Sequence, residues 1–457
     1  MITRLCLILA LLAAVPGWSQ ATGTQGTQAP PADEEPDNQV ANSGMLTPPS
    51  VSGQAYAVAT GDEVRNNYVT LGVTAVVSYD DNVAAGYSVI PESDMIYSVW
   101  PTASLDKNTL RIREQLSYSP GFTFYEPTTL HNESDQNASV NIEYHPSPTA
   151  TLSLIDNFMR SSSLFNQPFG ATEGAVTGAP PTEVTGAIAT FADRISNSSS
   201  VAFNDQVGEN QMLGASAQYS QFDYPDAKTQ AIGLYNSNSY SGTAFASERF
   251  ASRQYLGGSI EHSRTVSYLK TADSVLQSDD LFGLYTIFLR NSPQNLVSVS
   301  LIGGPEHYTA EQDPQPSLRA WATALTAAMG WQAHLWTMAA NYSHNVTAGG
   351  GLPGAYREDS LKGMYRRELA PTWDVTVSGL YALNKNVTPL FPLSEPGGHT
   401  YTISFAAEHM VTRNLKVQFG YDRMNESYSG VGALSEFPNS NREYGSVTYQ
   451  FTRPMGR

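Results

Sequence analysis

Along "LKVQFGYDR", residues 415–423, Leu415, Val417, Phe419 and Tyr421 take the odd places, while Lys416, Gln418, Gly420 and Asp422 take the even ones. A β-strand sends successive side chains to opposite faces, so the segment predicts a strand with one apolar and one polar face. In "HLWTMAANYSH", Trp336, Met338, Ala340 and Tyr342 alternate with Thr337, Ala339, Asn341 and Ser343. In "TWDVTVSGLY", Trp373, Val375, Val377, Gly379 and Tyr381 alternate with Asp374, Thr376 and Ser378. Segments of this kind follow one another from about residue 66 to the C-terminus, about 18 in all. Glu114 and Asp156 are exceptions that interrupt otherwise apolar faces.

The connections alternate in length. Tight turns are expected at "DKNT", "HPSPT", "VGEN", "FAS", "NSPQ", "QAH", "LAP" and "TRN". Longer loops are expected at roughly 81–93, 162–198, 225–237, 266–279, 308–318, 346–358, 384–398 and 425–440, with one short long-side connection near 127–133. Segments of ten to twelve residues, at about 3.3 Å each and tilted about 45°, rise roughly 25 Å, the height of the apolar band of a membrane barrel. Strands of soluble sandwiches and propellers are nearer five or six residues, and no period of 40 to 50 residues marks propeller blades. The expected fold is therefore all-β, a transmembrane antiparallel β-barrel of about 16–18 strands over residues 66–457. Trp331, Trp336 and Trp373 fall beside the short turns, and Tyr224, Tyr268, Tyr308 and Tyr381 toward the long loops, as two aromatic girdles.

The N-terminal segment supports the same destination. "MITRLCLILALLAAVPGWSQA" has Arg4, an apolar run from Leu5 to Ala14 and a small-residue site at Ser19-x-Ala21, so residues 1–21 read as a secretory signal peptide. The single cysteine, Cys6, lies within it, and the remaining chain has no disulfide to rely on. Residues 22–65 are rich in Pro, Gly, Gln, Thr and Ser, carry Asp33, Glu34, Glu35 and Asp37, and predict a disordered periplasmic tether.

Net charge is −17, or −18 once Arg4 is removed with the leader, which argues against nucleic acid as a partner. Charged residues are only 15% of the chain, against about 25% in soluble proteins. No G-x-S-x-G, H-E-x-x-H or phosphate loop occurs; "TAGGGLPGAY" (347–356) lacks the G-K-[ST] that a phosphate loop needs. The pair Ser343–His344 is no catalytic arrangement by adjacency alone, so neither an enzyme nor a cofactor is expected. "YDDNV" places Asp80, Asp81 and Asn82 at the first long loop, where they suit a solvated turn, or else a Ca²⁺ ligand set.

"VVSYDDNV", which closes the first strand, and the ending "YGSVTYQFTRPMGR" resemble porin-like β-barrel proteins of the Gram-negative outer membrane, in particular the poorly characterised β-barrel porins. Val447, Tyr449 and Phe451 share a face of the last strand, although six residues follow Phe451. The resemblance implies a location in outer-membrane lipid and passive passage of small hydrophilic solutes or ions. The acidic charge adds a weak cation preference. A non-transporting barrel that anchors surface loops, or an outlet for secreted polysaccharide, are the alternatives; oligomeric state is open. Candidate pore-lining residues are Arg111, Arg113, Gln115, Asp374, Lys416, Gln418 and Asp422. In general porins the third long loop folds inward. Here loop 162–198 carries Leu164, Phe165, Phe169, Val184, Ile188 and Phe191, which favour burial, and Glu173, Glu183, Asp193 and Arg194 would then face the constriction.

Overall fold

A computed structural model describes residues 67–455 except 84–89, 110, 127–132, 164–190, 226–234, 252, 269–272, 293–294, 313–315, 349–353, 388–396 and 430–438. The signal-peptide and tether readings therefore lie outside the described residues. The chain forms eighteen antiparallel strands, each hydrogen-bonded to its neighbours in sequence, and β1 pairs with β18 to close the ring. The first six are β1 (Tyr68–Asp80), β2 (Asp94–Asn108), β3 (Ile112–Glu126), β4 (Glu133–Tyr144), β5 (Ala150–Ser163) and β6 (Phe191–Gln206). Next come β7 (Gln211–Asp223), β8 (Asn236–Ala251), β9 (Gln254–Tyr268), β10 (Ser274–Ser292), β11 (Asn295–Gln312) and β12 (Leu318–Ala333). The last are β13 (Trp336–Thr347), β14 (Tyr356–Ala370), β15 (Trp373–Asn386), β16 (Gly397–Thr412), β17 (Leu415–Ser429) and β18 (Asn439–Pro454). No helix long and apolar enough to cross a membrane occurs among the described residues. Closure gives every strand a hydrogen-bonded neighbour on each side, which is the condition for a sheet to sit in lipid.

The phase of the alternation is as the sequence predicts. On β17, Phe419 is 60% exposed on the outside while Asp422, Met424 and Tyr428 are buried on the inside. On β10, Leu281 and Leu289 face out and Leu284, Thr286 and Phe288 face in. The lower girdle forms beside the short turns: Trp331 and Trp336 pack with ring centroids 4.5 Å apart, Trp336 lies 6.0 Å from Tyr365, and Trp373 stacks on His409 at 4.4 Å. Toward the long loops Tyr240, Tyr268 and Tyr381 are exposed, as an upper girdle requires. Tyr224 and Tyr308 do not belong to it. Both are buried, and Tyr308 shares the inward face of β11 with Glu306, two residues away.

The strands are also longer than their apolar stretches, from 12 residues in β4 and β13 to 19 in β10. Residues 274–279 and 308–312, which fall in the loops expected at 266–279 and 308–318, are strand instead; paired to each other, they extend the wall beyond the lipid band. The third long connection shortens to 164–190, because Asp193 and Arg194 stand within β6.

Two polar interruptions of the outer face are satisfied locally. Glu114 accepts from Lys107 Nζ at 3.3 Å near the short-turn end, and Asp156 accepts from Ser199 Oγ and Asn197 Nδ2 on the adjoining strand. The "YDDNV" segment latches the closing seam. Asp80 accepts from Arg442 Nε at 3.1 Å, Ser440 Oγ at 2.9 Å and the Asn82 amide at 2.9 Å. Asp81 accepts from the backbone and side-chain nitrogens of Asn441, each at 2.7 Å. This turn is a clasp between chain ends, a different outcome from a simple solvated turn. Among the described residues no group of three His, Cys, Asp or Glu is placed to hold a metal ion.

Candidate functional site

The pore-lining candidates sort by register. Arg113 and Gln115 lie on the inward face of β3, opposite Glu143 and Asn141 of β4, and Asn141 Nδ2 donates to Gln115 Oε1 at 3.3 Å. Arg111 precedes β3: its carbonyl accepts from the His145 amide at 2.8 Å in a short turn, outside the wall. Asp374 faces inward and accepts from Arg366 at 3.1 Å, and Lys416 pairs with Glu408 at 3.2 Å. Gln418 Nε2 reaches the Tyr444 hydroxyl at 3.4 Å. Asp422 is buried on the inward face, opposite Arg442. Of the constriction residues, Glu173 and Glu183 lie outside the described residues. Asp193 and Arg194 occupy successive positions of β6, hence opposite faces, with Arg194 on the inward one.

Register also brings together three residues that sequence spacing hides. Asp280 of β10 is directly opposite Glu261 of β9 on one side and Glu306 of β11 on the other. All three point inward, on strands about 5 Å apart, so they form a short row of carboxylates at one level. Carboxylates so opposed repel one another when ionised. Thr243 hydrogen-bonds Glu261, Ser278 donates to Asp280 at 3.2 Å, and Glu306 accepts from the Val346 amide at 3.2 and 3.3 Å. The sequence signal was present only in part. Each acid belongs to a polar run, but nothing in the one-dimensional order says that positions 261, 280 and 306 align.

Around this row the inner wall is mixed. Ser and Thr dominate it on β1, β8 and β9, with Thr74, Ser78, Ser237, Thr243 and Ser259 all buried on that face. A polar network joins Asn384 Nδ2 and Thr400 Oγ1 to the Tyr428 hydroxyl at 2.9 and 3.3 Å. Apolar patches interrupt it: Met212, Tyr255 and Phe288 beside Phe245; Leu284 with Ile302 beside Phe245 and Phe282; Val76 with Trp100 and Tyr444; and Leu276 with Tyr308, Ala310, Val346 and Ala355. A mainly polar inside and an apolar outside, in a closed ring, decide the environment. The architecture is that of an outer-membrane barrel.

No protein-family model matches the chain, and no curated protein matches it either. Solved structures do. OccK2 (OpdF) of Pseudomonas aeruginosa, in complex with glucuronate, aligns with a TM-score of 0.41 at 10% identity, over 84% of this chain and 98% of that one. OpdK of Pseudomonas aeruginosa with vanillate gives 0.40 at 10% identity, over 84% and 99%. OccAB2 of Acinetobacter baumannii gives 0.41 at 10% identity, over 86% and 100%. Likeness of this degree carries no argument about solute, selectivity or assembly.

Proposed function

We propose that the protein is an outer-membrane channel for passive diffusion of small hydrophilic solutes, with a weak preference for cations. The observation that carries this reading is the inward face of a closed eighteen-strand ring, where buried polar residues outnumber apolar ones and acids are in excess. Rings of this strand number enclose a water-filled passage. Facing inward, Arg113, Arg194, Arg249, Lys362, Arg366, Lys416 and Arg442 are outnumbered by acids, several of which are already neutralised in pairs. The row of Glu261, Asp280 and Glu306 has no such partner among its cross-strand neighbours. A negative wall concentrates cations, and the effect fades with salt. Within this reading Gln115, Gln418 and the carboxylate row line the passage; the connection 164–190, which the sequence suggests as its constriction, lies outside the described residues.

A second reading is favoured by the inward apolar patches of β7–β11, since bulky side chains inside a barrel suit a scaffold that anchors loops without transport. Swelling of liposomes containing the purified protein separates the two. The channel reading requires swelling in small neutral sugars that declines with sugar size; a properly inserted protein giving no swelling at any size favours the scaffold.

A further inference from the structure

The ladder between β12 and β13 stops early. It runs from Ala333 opposite Trp336 up to Leu325 opposite His344, and no further pairing occurs among the described residues. Yet β12 remains paired to β11 up to Leu318, and β13 to β14 up to Thr347. The upper ends of β12 and β13 therefore part, and a cleft opens in the outer wall between them. It holds a cavity of about 400 Å³ lined by Trp321, Ala322, Thr323, His344 and Arg357.

Its rim combines an indole, an imidazole and a guanidinium. Trp321 is 72% exposed, the indole 5.0 Å from the His307 ring. His344 is held by Asp359, which takes its Nδ1 at 2.7 Å and the Tyr342 hydroxyl at 2.9 Å. Arg357, on the outward face of β14, completes the rim. On its inner side Glu306 reaches across to the Val346 amide, and Leu276, Tyr308, Val346 and Ala355 cluster together with Ala322 packed against them. Trp321 stands twelve residues above Ala333 at the short-turn end, a rise of about 28 Å at a 45° tilt, which is the upper edge of a band about 25 Å tall. Strand edges without partners are costly in hydrocarbon but are met by polar groups at headgroup level.

We infer that this cleft binds the phosphate-bearing glycolipid headgroup of the outer leaflet, with Arg357 and His344 toward phosphate and Trp321 against the sugar. A flat indole covers a sugar ring, a guanidinium grips phosphate, and the open strand edges offer backbone donors to sugar hydroxyls. The inference rests on the outer-membrane location and is independent of channel activity.

Native mass spectrometry of the detergent-purified full chain, titrated with diphosphorylated lipid A, tests it. The wild type should retain one lipid A. Arg357→Gln and Trp321→Ala should each weaken retention at least fivefold while migrating as folded, heat-modifiable protein, and Arg423→Gln on β17 should not. Retention of dephosphorylated lipid A should also fall. Equal retention by the Arg357 and Trp321 variants, equal retention of the dephosphorylated lipid, or displacement by millimolar inorganic phosphate alone would each overturn the assignment.

Discussion

The clasp at the closing seam makes a quantitative prediction. Arg442 and Asp80 have side chains only 4% and 1% exposed, so neither charge has water to fall back on. Removing one partner of a buried pair costs about 3–5 kcal/mol, because the other charge is left uncompensated. Asp80 also accepts from Ser440 and the Asn82 amide, so Arg442→Met leaves it two neutral donors, whereas Asp80→Ala takes from the guanidinium its paired carboxylate, with Asp422 still opposite it, and removes the acceptor of both donors. The expected losses are about 3 kcal/mol for Arg442→Met and about 4–5 kcal/mol for Asp80→Ala, each lost neutral hydrogen bond adding roughly 1 kcal/mol. The double variant removes both charges together, and its loss should fall short of the sum by at least about 2 kcal/mol. Urea unfolding in lipid vesicles, followed by tryptophan fluorescence and by the folded band on unheated gels, measures all four species. Single losses below about 0.5 kcal/mol, or strict additivity, would show that the pair does not hold the seam.

Three further outcomes follow from the wall. Glu261→Gln combined with Asp280→Asn should lower cation preference: a charge about 10 Å from a permeating ion in water contributes about 0.4 kcal/mol before screening, so two give a two- to threefold effect at 0.01 M salt and almost none at 1 M; reversal potentials that do not move at low salt would remove the row from the passage. Leu281→Arg, at an outward position 59% exposed, should destabilise the inserted barrel by about 2–4 kcal/mol, measured by the same urea titration, and a neutral result would mean that β10 does not face lipid there. Deleting residues 170–190 should raise single-channel conductance without loss of insertion, and unchanged conductance would show that this connection is not the constriction.

Most of the wall was legible from the sequence, because a period of two is enforced wherever one face meets lipid and the other does not. Leu415, Val417, Phe419 and Tyr421 point outward as their spacing predicts, and Trp331, Trp336 and Trp373 gather at the short-turn end. Legibility ended where lipid ends. Above the band both faces of a strand are wet, so the polar run that opens β10 resembles a loop until its pairing with β9 and β11 is seen. The same loss of contrast misassigns Tyr308 to a girdle and places Asp193 and Arg194 in a loop. Partners distant in sequence were hidden for a different reason. Asp80 meets Arg442 across 362 positions, and the row of Glu261, Asp280 and Glu306 exists only by virtue of register.

The central claim is that the ring encloses a conducting aqueous passage. Single-channel recording in planar bilayers, with purified heat-modifiable protein added to one side, addresses it directly. Discrete upward current steps should appear, growing with bath salt and reversing at a potential of cation-preferring sign under a low-salt gradient. Protein shown to be inserted in the bilayer, yet passing no current at any voltage or salt, would contradict the account.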